Sequence, residues 1–242
     1  MENKKLISVM DLIQNSFEIY KERVWVLLGL MVIAILSGLA LLPGAIVLVM
    51  GGATGILSIM SGDPEAAVNL GALLASGGLI LVGLVLVLIG IIISIAIGIW
   101  CQVAAIYAIK ERVAKIGIKQ SLSMGWPKFW SFLWVSILTG IVVFVGICLL
   151  VVPGIIFAVW FYFAMYVLVV EGIKGTEALK RSKQLVAGYW WPVFGRILLL
   201  CLAGVVLSWV PMLGTILTIV FLAPFGQIYN YLVYEDVKSI KA

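Results

Sequence analysis

Long apolar runs separated by short polar blocks set the pattern of this chain. Six runs, at 25–50, 79–109, 129–151, 154–170, 192–210 and 214–234, are nearly free of charged residues. A helix of roughly 20 apolar residues crosses a hydrocarbon core of ~30 Å. Lipid offers the backbone no hydrogen bonds, so a helix satisfying its own amides is the default crossing, and the alternation a barrel strand needs is absent from these runs. The pattern predicts an all-α, polytopic membrane protein with about six transmembrane helices, forming a single integral membrane domain over 1–242.

Charge placement orders the runs. Lys4, Lys5, Lys21 and Arg23 precede the first, while Lys110, Arg112, Lys115, Lys119 and Lys128 fall between or beside the second and third. Lys174, Lys180, Arg181, Lys183 and Arg196 surround the junction of the fourth and fifth, and Lys238 and Lys241 follow the sixth. With six crossings every Lys and Arg belongs to one face, and the other face keeps Asp63 and Glu65. Basic residues near span ends collect in the cytoplasm. The expected topology therefore has both termini cytoplasmic, in a bacterial inner membrane. The first run starts late and is too long for the core of a cleaved leader, so it reads as a retained helix.

A threefold pattern underlies the runs. Each repeat has a polar stretch of helical spacing, an aromatic entry, an apolar span and a proline turn, with the turns at Pro43, Pro153 and Pro211. The expected architecture is three helical hairpins carrying cytoplasmic amphipathic elbow helices. In the first elbow Leu6, Met10, Ile13, Phe17 and Tyr20 form the apolar stripe; in the third, Ala178, Leu179, Ser182, Leu185 and Val186 do. Thr176 is the expected N-cap of that third elbow and Gly188 its stop. Residues 51–78 form an insertion that reads as an outer loop, a re-entrant piece or an extension of the first two spans.

Composition then narrows the chemistry. Hydrophobic residues make up 64% of the 242 and charged residues 11%, too few charges for a soluble domain. The absence of histidine removes the Ser-His-Asp arrangement and His-containing zinc sites. No phosphate loop or paired-cysteine motif is present, and the three cysteines fall singly in apolar runs. No enzyme, cofactor, metal site or nucleic-acid partner is expected. Few ionisable groups lie within the runs, which argues against an ion-coupled pump. Gly90, Ser94 and Gly98 place a small residue every fourth position, a helix-packing stripe.

The stretch from Val151-Val152-Pro153-Gly154 through Val170-Glu171-Gly172 to Ala178-Leu179-Lys180-Arg181-Ser182-Lys183-Gln184-Leu185-Val186-Ala187-Gly188-Tyr189-Trp190-Trp191 resembles the six-helix membrane domain that some bacteria fuse to glycerophosphoryl diester phosphodiesterase, and related stand-alone bacterial membrane proteins. Where such proteins often carry a basic residue after the Pro-Gly, this chain has Ala158, Val159 and Trp160. The resemblance implies a membrane domain and not the hydrolase.

The resulting expectation is a non-enzymatic membrane protein serving envelope or lipid maintenance. Lys180, Arg181, Lys183 and Arg196 would contact lipid headgroups or a partner, and Trp190 and Trp191 would set depth. A permease, channel or lipid-flipping protein, and a scaffold subunit of a larger membrane complex, remain alternatives. Membrane lipids, a membrane protein or a second copy are the expected partners.

Overall fold

The computed structural model describes residues 6–60, 70–210 and 212–241. Lys4, Lys5, Asp63, Glu65 and Pro211 lie outside them, so the turn expected at Pro211 and part of the 51–78 insertion have no structural account. Among the described residues every regular element is helical. The α-helices are α1 (Val9–Leu36), α2 (Leu42–Met60), α3 (Leu70–Lys110), α4 (Ile118–Gly125), α5 (Phe129–Leu149), α6 (Val151–Phe161), α7 (Ala164–Val170), α8 (Gly175–Val186), α9 (Trp190–Ser208), α10 (Leu213–Leu217) and α11 (Ala223–Lys241). Among the described residues six helical stretches are long and apolar enough to cross a membrane: Val9–Leu57, Gly77–Lys110, Ile118–Leu149, Val151–Val170, Trp190–Ser208 and Leu213–Lys241. Each contains or closely overlaps one of the six runs read from the sequence.

The chain divides into two compact units, residues 31–98 and residues 1–30 with 99–242. In the first, glycines let α2 and α3 meet backbone to backbone. A Cβ on Gly44 would lie 2.5 Å from the Val87 amide nitrogen, and one on Gly83 2.8 Å from that of Leu48. A Cβ on Gly90 would lie 2.5 Å from the Ala40 carbonyl oxygen. Gly44 and Gly51 are seven apart, as are Gly83 and Gly90, so each helix offers one smooth face every second turn. The Ser94 hydroxyl adds a bond to the Ser37 carbonyl at 2.8 Å. Gly98, the third member of the expected stripe, has nothing within 4 Å of where its Cβ would be.

Two expectations about this region change. The chain does not turn back at Pro43: Leu36 and Leu42 are both right-handed helical, and a 3-10 turn at Ser37–Leu41 links α1 to α2. Pro43 is the second residue of α2, in the first turn, where its missing N–H costs little. The insertion, where described, extends the helices, since α2 runs to Met60 and α3 begins at Leu70. At 1.5 Å per residue the 41 residues of α3 reach about 60 Å, twice a hydrocarbon core. A helix of that length fits an ordinary bilayer only by leaning strongly or by running past it.

The second unit holds the principal core. Its fully buried side chains cluster on α3 (Val103, Ile109), α7 (Leu168), α8 (Leu185, Val186) and α11 (Ile228, Tyr229, Tyr234), joined by Leu12, Leu27 and Leu30 of α1 and by Phe163. These positions lie beside the charged segments. At the far ends of α5, α6 and α9, by contrast, Leu149 to Val152 and Val206 are exposed. That gradient suits a bundle wetted by hydrocarbon at one end and closed by a polar cap at the other. Leu150 is extended between α5 and α6, and the two helices pack around Gly146 and Gly154, so closely that a Cβ on Gly146 would lie 3.0 Å from the Gly154 Cα. Pro153 sits in the first turn of α6.

The polar segments are helical, with two corrections. The first is continuous with α1, and its buried face carries Leu12, Ser16 and Arg23; Met10 is 65% exposed and Phe17 40%. Small Ser16 returns its hydroxyl to the Leu12 carbonyl at 2.7 Å, so the helix approaches the core there and the larger apolar side chains turn outward. In α8 all five expected residues are buried. Its N-cap, however, is Lys174 with no side-chain bond, and Thr176 lies within the first turn, because Gly175 at φ +62° already starts the helix. Gly188, at φ +86°, follows the end of α8 as expected.

Candidate functional site

The cap of the second unit is built from buried ions tied to particular partners. α7 ends at Val170, and its next residue, Glu171, receives three donors: Arg181 Nε of α8 at 3.1 Å, the Tyr234 hydroxyl of α11 at 2.7 Å, and an ion pair with Lys238 Nζ at 3.7 Å. Gly172 at φ +78° lets the chain leave the helix directly afterwards. Burial pushes the Glu171 carboxyl up, but the Tyr234 and Arg181 hydrogen bonds and the two positive charges outweigh it and hold the group below its ordinary 4.5.

A second clamp joins the beginning of the described chain to its last helix. The Ile7 N–H donates to Asp236 Oδ2 at 3.1 Å, and Arg196 donates to the Ile7 carbonyl while pairing with Asp236 at 3.5 Å. Side-chain exposures of 6% for Arg196 and 4% for Asp236 make this an interior pair. Arg23 of α1, itself 3% exposed, donates to the carbonyls of Ile116 at 3.0 Å and Glu111 at 3.1 Å, and to that of Arg112, gathering backbone acceptors of the segment that follows the end of α3. Arg112 in turn pairs with Glu235 at 3.2 Å.

These contacts sort the expected headgroup residues. Arg196 points inward to Asp236, so it is not free to meet a headgroup; its position within an apolar helix is explained by a buried counter-ion that sequence order, forty residues away, does not reveal. Arg181 is partly engaged by Glu171. Lys180 and Lys183 remain exposed, the latter with its Nζ 4.3 Å above the Trp160 ring. Trp191 is 74% exposed, while Trp190 is half-buried and stacks on Phe194 at 5.0 Å between centroids.

One regularity went unread in the sequence. Ser16, Ser121 and Ser182 are each 0% exposed, and nine residues after each stands a tryptophan: Trp25 at 81%, Trp130 at 75% and Trp191 at 74%. Their hydroxyls donate to the carbonyls of Leu12, Gly117 and Trp160. A small inward residue and a large outward one thus recur at the same spacing at the entrance to three spans. The signal was present as Ser-x8-Trp, hidden because the residues between do not repeat.

Beside this edge, α6 and the first turn of α9 enclose an apolar groove of about 570 Å³ that includes Ile156, Trp160 and Trp190. Among the described residues no three His, Cys, Asp or Glu side chains gather closely enough to hold a metal ion.

Compared with known proteins, the chain matches the model of one family, a domain of unknown function (DUF7847), over residues 89–233. This match provides no link to the phosphodiesterase-associated membrane domain. No curated protein and no solved structure matches the chain.

Proposed function

The chain belongs to the DUF7847 family, and from that premise, with no function attached to the family, we propose that it is a non-enzymatic multi-pass membrane protein that binds anionic lipid along a basic aqueous edge, in the service of envelope or lipid maintenance. The observation that carries this reading is the division of labour among the cations. Arg23 and Arg196 are consumed by the interior, whereas Lys180 and Lys183 stay at the surface, as Trp191 does. Aromatic rings of this kind settle at headgroup depth, and each surface Lys near an anionic leaflet contributes about 1 kcal/mol.

On this reading the basic edge is cytoplasmic, both termini lie on that side of a bacterial inner membrane, and the spans form three hairpins with α4 and α8 as elbows at the headgroup level. The likeness of the segment around Pro153 and Trp191 to the phosphodiesterase-associated membrane domain is then one of shared architecture, without hydrolase activity. Phe163, Leu168 and Tyr234 are fully buried in the core of the second unit, and side chains of that size packed there favour lipid binding over a transport path through it.

The test is cosedimentation of the purified protein, held in amphipol, with phosphatidylglycerol liposomes. Lys180→Gln with Lys183→Gln should weaken binding roughly 30-fold, from ~1 kcal/mol per lysine. Unchanged binding would remove the lipid reading.

A further inference from the structure

The groove between α6 and α9 has a chemistry of its own. Val152, Ile155, Ile156 and Trp160 fall on one face of α6, at helical spacings of three, one and four, and Trp190 and Phe194 form the opposite wall. Its volume of about 570 Å³ lies within the roughly 300–1,000 Å³ of small-molecule sites. Apart from the indole N–H groups of its tryptophans, of which that of Trp190 is buried without a partner, the lining is hydrocarbon and aromatic ring, so a polar solute would lose most of its hydration here for few hydrogen bonds in return. α6 also belongs to an apolar stretch long enough to cross a membrane. In a bilayer, the molecule that meets such a groove is a lipid chain.

Charge selects among lipids. Lys183 Nζ rests 4.3 Å from the centre of the Trp160 ring, at the C-terminal end of the α6 wall. Lys241 Nζ lies 5.8 Å from the ring of Tyr189, the residue before Trp190. Two ammonium groups therefore stand by aromatic rings at or next to one end of an apolar trough, and Lys180 is exposed one turn before Lys183. An acyl chain with a negative head attached matches that arrangement, whereas a zwitterionic head brings a positive charge to the same place.

We infer that this groove holds one acyl chain of an anionic phospholipid from the surrounding leaflet, with the phosphate met by Lys183. The inference rests on the lipid-binding reading above and gives it a site: the lysines supply attraction, and the α6–α9 wall supplies retention of a single lipid.

Native mass spectrometry of the full chain, given equal dioleoyl phosphatidylglycerol and dioleoyl phosphatidylcholine, tests it. The wild type should retain the anionic lipid in preference. Ile156→Trp fills the groove and should lower the retained phosphatidylglycerol at least tenfold, while liposome cosedimentation stays at the wild-type level. Lys183→Gln should lower the preference over phosphatidylcholine about fivefold, the equivalent of ~1 kcal/mol. Ile155→Phe, a smaller intrusion on the same wall, serves if Ile156→Trp does not fold. Wild-type retention in a folded groove variant overturns the site; if the double lysine variant still loses liposome binding, only the groove falls, and if it does not, the lipid reading falls with it.

Discussion

Converting Asp236 to asparagine isolates the charge in the clamp between Ile7, Arg196 and α11. Asparagine keeps the shape and an acceptor for the Ile7 N–H, which sits 3.1 Å from the carboxylate, so the backbone bond can survive. What disappears is the counter-ion of Arg196, whose side chain is 6% exposed. Leaving one member of a buried pair without its partner costs about 3–5 kcal/mol. The lower end suits Asp236→Asn, because Arg196 still reaches the Ile7 carbonyl; Asp236→Ala, which also abandons the Ile7 N–H, adds about 1 kcal/mol. For a chain of this size 1 kcal/mol moves Tm by about 2–4 °C, so Asp236→Asn should lower Tm by about 6–12 °C. Thermal unfolding in detergent, followed by tryptophan fluorescence, reads this directly. Replacing both partners, Arg196→Met with Asp236→Leu, should recover part of the loss because no charge is then stranded. A Tm within 2 °C of wild type for Asp236→Asn would refute the claim that this pair is interior and mutually dependent.

Two further outcomes follow from the same structure. Gly90→Ala places a methyl against the Ala40 carbonyl and should destabilise by about 1–2 kcal/mol, whereas Gly98→Ala meets open space and should gain up to about 1 kcal/mol of helix propensity; Tm shifts of the same sign and size would contradict the packing assigned to α2 and α3. Glu171, held below 4.5 when folded, adds stability above its unfolded value that is lost as pH falls through the folded one, so acid should lower wild-type Tm below about pH 4.5 and Glu171→Gln should flatten that part of the profile.

Hydropathy made the six spans legible because crossing a hydrocarbon core demands a run of apolar residues whatever the tertiary packing. The stripe of α8 was legible for a similar reason: Ala178, Leu179, Ser182, Leu185 and Val186 share one helical face, and that face is the buried one. Position-specific details depended on neighbours distant in sequence. Pro43 looks like Pro153 as text, yet only the latter follows an extended residue, Leu150, while the helix before Pro43 continues through a 3-10 turn. Arg23 and Arg196 look like members of a basic edge, but the carbonyls of Ile116 and Glu111 and the carboxylate of Asp236 draw them inward. The outward turn of Met10 and Phe17 follows from Ser16, whose small side chain wins the core-facing position although hydrophobicity alone ranks it last. At the candidate site Lys180, Lys183 and Trp191 were found from charge and aromatic content; the groove beside them was not, because its walls come from α6 and α9, some thirty residues apart.

The central claim is that the polar cap and every basic residue share one aqueous side. Cysteine accessibility tests it most directly, in a chain whose Cys101, Cys148 and Cys201 are replaced by alanine. Val113, 91% exposed in the turn after α3, and Lys180 of α8 supply probe positions at the basic end; Leu57 and Leu150, 66% and 69% exposed, supply them at the opposite ends of their spans. With a membrane-impermeant maleimide applied to intact cells, Leu57→Cys and Leu150→Cys should label, and Val113→Cys and Lys180→Cys should label only after the membrane is opened. Labelling of Val113→Cys or Lys180→Cys from outside intact cells would contradict the account.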